Sequence, residues 1–162
     1  MHYQKQTGGK MGLIAIIRLR GSAKKDGEVN YALQIMGLTR VNHCVVLEND
    51  AYLKGQLYKV KDYVTYGEID KETLKSLVTK RVRLEGDKKI TDAFLKEKKI
   101  NIDGIVDLYS KDKKKLSELG IKKVFRLSPA SKGLKSIKLA FGHGGDLGNR
   151  GKEINTLLNK MI

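Results

Sequence analysis

Apolar residues recur along this chain with two different periods, and the switches between them outline the elements. Leu13 to Leu19 (LIAIIRL) is an almost unbroken apolar run rich in β-branched residues, which predicts a buried strand with Arg18 and Arg20 at its far end. Gly21 to Gly27 has the composition of a loop. Val29, Ala32, Leu33 and Met36 then fall at i, i+3, i+4 and i+7, one face of a helix that Gly37 can stop. Val41 to Glu48 predicts a second strand, and Leu57, Val60 and Val64 a second helical stripe. A short extended segment follows at Tyr66 to Ile69. The order β-α-β-α-β implies a small sheet with its helices on one face.

The pattern after residue 70 is mainly helical. Asp70 can cap a helix through Lys80 that turns Leu74, Leu77 and Val78 inward, and Thr91 can cap another, with Ile90 and Leu95 as a hydrophobic staple. Ile102, Ile105, Val106 and Tyr109 repeat the helical spacing, and a further helix ends at Gly120. Lys123 to Ser128 predicts a strand stopped by Pro129. Ile154, Leu157, Leu158 and Met161 form the stripe of a final helix. The expected organisation is a loose tail over 1–10, a core over 11–69 and a helical extension over 70–162. That extension carries a Gly-rich basic loop at about 130–151.

Charge changes this picture most. Thirty-three Lys and Arg against eighteen Asp and Glu leave a net +15 on 162 residues. Such an excess repels itself unless a polyanion neutralises it, and nucleic acid is the commonest polyanion. No helix has the basic amphipathic form with exposed aromatics that a membrane surface requires, and the run at Leu13 is far too short to span a bilayer. The excess is uneven. Residues 66–120 carry fourteen basic and eleven acidic residues, whereas 121–152 carry eight basic residues and one acid, Asp146. With no Trp and only three Phe, an aromatic platform for single strands is not expected, so the chain should read phosphate and shape.

Catalytic readings fail on spacing. Gly142-His143-Gly144-Gly145-Asp146-Leu147-Gly148 puts Leu147 where a dinucleotide fingerprint needs its third Gly, and Gly8-Gly9-Lys10 lacks the Ser or Thr of a phosphate loop. His43 beside Cys44 would point to opposite faces of a strand, one in the core and one at the surface. His143 and Asp146 are two metal ligands without a third. The single Cys44 excludes an internal disulfide and suits a reducing, cytoplasmic setting. The chain is therefore expected to be no enzyme, with no metal, cofactor or small-molecule substrate.

Candidate RNA contacts follow from where cations cluster. Arg18, Arg20, Lys24 and Lys25 lie where the first strand ends. Arg40 and Asn42, with His43 beside them, lie where the second begins. Lys54 and Gln56 flank Gly55 near the start of the second helix, where free N–H groups favour an anion, and Lys59 follows. Arg40 and Asn42 are expected to form one edge with Lys54 and Gln56. Lys123, Arg126, Lys132, Lys135, Lys138, His143, Asn149 and Arg150 line the basic stretch, of which Lys132 to Arg150 is expected to be an RNA-binding loop.

The stretches Arg40 to Val45 (RVNHCV), Asp50 to Gly55 (DAYLKG), Lys59 to Glu68 (KVKDYVTYGE) and Gly144 to Met161 (GGDLGNRGKEINTLLNKM) occur in an order that resembles a known family. It is the large-ribosomal-subunit protein L-thirty family in its long archaeal form, related to eukaryotic L-seven. The resemblance covers roughly Met11 to Ile162. It implies an α+β fold, in which a β-α-β-α-β core with a three-stranded antiparallel, ferredoxin-like sheet is extended by a mainly helical region. It also implies a structural role in the large subunit, with contacts to ribosomal RNA near the 5S RNA and to neighbouring ribosomal proteins. The loop over Lys132 to Arg150 is then expected to order fully only on the ribosome. From the residues alone, a free RNA-binding module outside the ribosome stays open.

Overall fold

The computed structural model describes residues 12–21 and 26–162. Its elements run in the order β1 (Leu13–Arg18), α1 (Gly27–Ile35), β2 (His43–Glu48), α2 (Ala51–Val60), β3 (Val64–Glu68), α3 (Lys71–Arg81), α4 (Asp92–Lys98), α5 (Ile102–Lys111), α6 (Lys113–Glu118), β4 (Val124–Arg126), β5 (Gly148–Asn149) and α7 (Ile154–Met161). The fold is α+β. Its sheet is five-stranded and mixed rather than a sheet of three antiparallel strands, in the order β4-β2-β1-β3-β5. β1 runs antiparallel to both β2 and β3, β4 adds antiparallel to β2, and β5 adds parallel to β3.

The apolar run of β1 is explained by what covers it. Successive side chains of a strand point to opposite faces. Ile14 and Ile16 pack with Val45 and Val64 against Val29, Leu33 and Met36 of the α1 region and Leu53, Leu57 and Val60 of α2. Ala15 and Ile17 pack with Cys44 and Val46 against Leu74, Leu77 and Val78 of α3, Ile105 and Tyr109 of α5, and Ile154 and Leu158 of α7. A strand buried on both faces cannot alternate with polar residues, hence LIAII. Helices α3, α5 and α7 thus form the layer over the second face of the same sheet. Tyr109 and Phe125 anchor it, with ring centroids 5.2 Å apart, and the Tyr109 hydroxyl donates to the Lys122 carbonyl at 2.8 Å.

Some local expectations change. Val64 continues the helical stripe of Leu57 and Val60 in sequence, but α2 stops at Val60 and a tight turn (Tyr63 N–H to Val60 carbonyl, 2.9 Å) delivers Val64 to β3. Asp26 and Asp50 cap α1 and α2 through side-chain bonds to the amides of Val29 and Leu53, whereas the side chains of Asp70 and Thr91 make no such bond. Gly37 has φ +79°, and a Cβ there would lie 2.9 Å from Val124, so the end of α1 can cross β2 and β4 closely only with glycine. The tail over 1–10 lies outside the described residues.

Candidate nucleic-acid interface

The register of the sheet sorts the charged residues by end. β1 leaves the sheet at Arg18, which pairs with Val64, the first residue of β3. The Asn42 amide donates to the Arg18 carbonyl at 2.8 Å, so β2 enters at the same end, and β4 leaves there, with Arg126 paired to His43. Arg20, Arg40 and Arg126 therefore share one end of the sheet, joined by Lys61 in the turn before β3. The basic segment leaves from this end, where the Leu127 amide bonds the Asn42 carbonyl. It returns there through Leu147 to β5, whose Gly148 pairs with Thr65. Lys132, Lys135, Lys138 and His143 are exposed along it.

At the opposite end Leu13 pairs with Glu48 and Ile14 with Glu68, and Asp50 and Asp70 follow directly. A cavity of about 470 Å³ opens here, lined in part by Glu48, Asp50, Gln56, Lys113 and Lys123. Burial holds the Lys113 ammonium below its ordinary value, and Glu48 opposes that shift.

The candidate residues accordingly divide. Arg20 is half-buried; it donates to the Asp62 carbonyl at 3.3 Å and its guanidinium lies 5.3 Å from the Tyr63 ring centroid. Arg40 is exposed and Asn42 half-buried. Arg126 is exposed and bonds Asp87 at 2.8 Å; Asp87 also holds Lys122, whose hydrogen bond is the main reason that carboxyl sits below its usual range. Lys59 is exposed near the end of α2, and Asn149 is exposed with its side chain accepting from the Gly151 amide at 2.9 Å. Lys24 and Lys25 lie outside the described residues.

Several expectations are corrected. Arg18 is only 4% exposed, because its Nη1 donates to the Leu38 carbonyl at 2.7 Å and its Nε to the Arg20 carbonyl at 2.9 Å. It braces the crossing after α1 rather than presenting charge. Arg150 is 8% exposed for a similar reason. Its Nε donates to Thr65 Oγ1 at 2.8 Å, its Nη2 to the Asp146 carbonyl at 2.8 Å and to Asp146 Oδ1 at 3.0 Å, and Phe141 stacks beneath it at 4.9 Å. Asp146 also accepts from the Ser136 amide, so this buried pair clamps the base of the basic segment onto β3. His43 is buried beside Cys44 instead of facing solvent, with Nδ1 3.5 Å from Thr39 Oγ1. Burial pushes the Cys44 thiol up to about 12, which rules out a thiolate nucleophile at neutral pH. Lys54 and Gln56 lie in the first two turns of α2, which starts at the opposite end of the sheet from Arg40 and Asn42. The six residues of β2, roughly 20 Å, separate Asn42 from the Asp50 cap where α2 starts. Gln56 faces the cavity at the acidic end, as does Lys123.

One feature of the surface is missed by counting Trp and Phe. Tyr31, Tyr52 and Tyr58 are 66%, 66% and 73% exposed on α1 and α2. The signal was available: each lies off the apolar stripe of its helix.

Among known proteins, the profile of the ribosomal protein L30p/L7e family matches residues 14–64, the segment from β1 to the first residue of β3. The large ribosomal subunit protein uL30 of Methanococcus vannielii is 45% identical over 151 residues, covering 91% of this chain and 98% of that protein. The uL30 proteins of Methanosphaera stadtmanae and Thermoplasma volcanium are 40% and 38% identical. They match over 93% of this chain, and over 100% and 93% of their own lengths.

Proposed function

Because the chain belongs to the ribosomal protein L30p/L7e family, and is thereby a structural, non-enzymatic constituent of the large ribosomal subunit that binds ribosomal RNA, we propose that it grips that RNA with the cationic end of its sheet. The observation carrying this reading is the register that collects Arg20, Arg40 and Arg126 at one end, together with both roots of the segment bearing Lys132, Lys135 and Lys138. Arginines can take phosphate oxygens in pairs, whereas the lysines act as point charges on a backbone that follows the groove. His143, Asn149 and Asn42 would add hydrogen bonds to sugar and phosphate. The clamp of Arg150 on Asp146 and Thr65 holds the segment in place for this.

Replacing Arg20, Arg40, Arg126, Lys132, Lys135 and Lys138 by Ala tests the reading. The slope of log K against log salt should flatten by about 0.7–0.9 for each phosphate the variant no longer neutralises. An unchanged slope overturns it. As part of the same proposal, the protein works on cytoplasmic ribosomes and its RNA lies close to the 5S RNA, as the family resemblance implies. Cross-linking from position 138 to large-subunit RNA would report on the second point.

A further inference from the structure

Between its Asp50 cap and Asp62, α2 with its first following residue exposes only Ala51, Tyr52, Lys54, Gly55, Tyr58, Lys59 and Lys61, with no acid. Lys54, Tyr58 and Lys61 stand at i, i+4 and i+7 and so share one stripe of the helix. The Lys61 ammonium lies 4.7 Å from the centroid of the Tyr58 ring, which is 73% exposed. The apolar stripe of Leu53, Leu57 and Val60 is turned onto the sheet, so Lys54, Tyr58 and Lys61 stay exposed among the described residues. α1 adds Tyr31 to the same helical layer.

We propose that this stripe of α2 is a second RNA contact, specific for unpaired nucleotides: Tyr58 stacks on a base while Lys54 and Lys61 hold the flanking phosphates. The inference rests on the reading of the chain as an RNA-binding ribosomal protein. Charge and shape select this occupant. Three exposed lysines outnumber the two acids that bound them, Asp50 and Asp62, so the face repels a basic ribosomal protein and attracts a polyanion, and a single tyrosine between lysines matches a base between two phosphates. A protein partner fits less well, because lysine is depleted from protein interfaces even where tyrosine is welcome. The stripe is continuous with the cationic end of the sheet, because α2 runs toward that end and Lys61 sits in the turn leading into β3. Unpaired RNA leaving a helix gripped there would run along α2.

The test uses the full chain, a short single-stranded oligoadenylate and an RNA duplex of equal length. Tyr58→Leu should weaken single-strand binding by roughly tenfold while changing duplex binding by less than about twofold, since stacking requires a free base face. Tyr58→Phe should bind the single strand as the parent does. Lys61→Gln should flatten the salt dependence of single-strand binding, whereas Tyr58→Leu should not. Equal losses on both RNAs, or no loss on either, overturn the proposal. A Tyr58→Leu protein that binds both RNAs normally but no longer enters large subunits would mean that this face docks protein, and also overturns it. Alanine variants of the cationic end serve as the independent arm. If they leave duplex binding and its salt slope intact while Tyr58→Leu behaves as expected, it is the assignment of the cationic end that fails.

Discussion

The two ends of the sheet are made by the same strands, yet they are built in opposite ways. At the end where β1 and β4 leave, cations lead: Arg20, Arg40, Lys61 and Arg126, with the basic segment rooted among them. At the other end the strands finish in Glu48 and Glu68, followed by Asp50 and Asp70. Acids are present at the cationic end too, but two of them are already engaged, Asp87 by Lys122 and Arg126 and Asp146 by Arg150. The basic residues at the acidic end, Lys113 and Lys123, face Glu48 and Asp50 across the cavity. Net charge alone would make the whole chain an RNA binder. The register instead gives the molecule a direction, with one cationic end, where we propose the polyanion binds, and one acidic end whose charge Lys113 and Lys123 partly offset.

The clamp is where this contrast breaks most severely. Arg150→Ala leaves Asp146 buried without its ion pair and Thr65 without its donor. Removing one partner of a buried pair costs about 3–5 kcal/mol. Urea unfolding should show that loss, and Asp146→Asn should cost less, because the amide oxygen can still accept from Arg150 and only the Ser136 amide loses its acceptor. If Arg150→Ala unfolds at the parent's midpoint, the clamp is not what holds the segment. Gly145→Ala should come next. A Cβ there would collide with the Leu139 carbonyl, backbone that cannot step aside cheaply. The expected loss is about 1–3 kcal/mol, as for other overpacked sites, with amide exchange accelerating around Leu139 and Leu147. Gly133→Ala, which meets nothing within 4 Å but carries φ +72°, should cost less.

What was legible in the sequence has a physical boundary. α5 and α7 could be read because their buried positions recur every three to four residues, and β1 because burial on both faces leaves an apolar run. Val64 misled because its spacing from Val60 suits a helix that the turn at 61–63 has already ended. β5 is two residues long and owes its place to Thr65, far away in the chain. The buried arginines could not be read at all. Arg18 is satisfied by a carbonyl 20 residues on and Arg150 by a hydroxyl 85 residues back, and no local pattern announces either. A cation count treats such residues as surface charge, which is why the candidate site kept its exposed members and shed these two.

Neutralising the acidic end should have a small effect. Glu48→Gln with Glu68→Gln removes one half-buried and one exposed carboxylate, neither of which holds an ion pair among the described residues. Stability should therefore stay within about 0.5 kcal/mol of the parent. Affinity for duplex RNA held at the cationic end, the length of β2 away, should change little at moderate salt, because charges farther than a Debye length of about 8–10 Å from the bound phosphates are screened. An affinity gain as large as the drop caused by the cationic-end variants would mean that the two ends act as one surface.

The most delicate consequence lies in His43, which reports on the cationic end from inside. Burial lowers the imidazole below its ordinary value of 6.5, and Arg126 lowers it further; a bond from the ring to the Gly37 backbone works the other way, and Arg40 and Arg18 add smaller decreases. The sign for stability follows. A depressed imidazole binds fewer protons folded than unfolded, so this group's contribution is full above pH 6.5 and is lost as pH falls from there through the folded value. His43→Gln should flatten that part of the stability profile. The same arginines give a second readout. Phosphates at Arg126 and Arg40 would offset the positive potential that keeps the ring neutral, so the His43 titration followed by NMR should move upward when a duplex RNA binds. RNA bound at the acidic end, the whole length of β2 away, would leave the titration where it is, and that result would remove the cationic end from the interface.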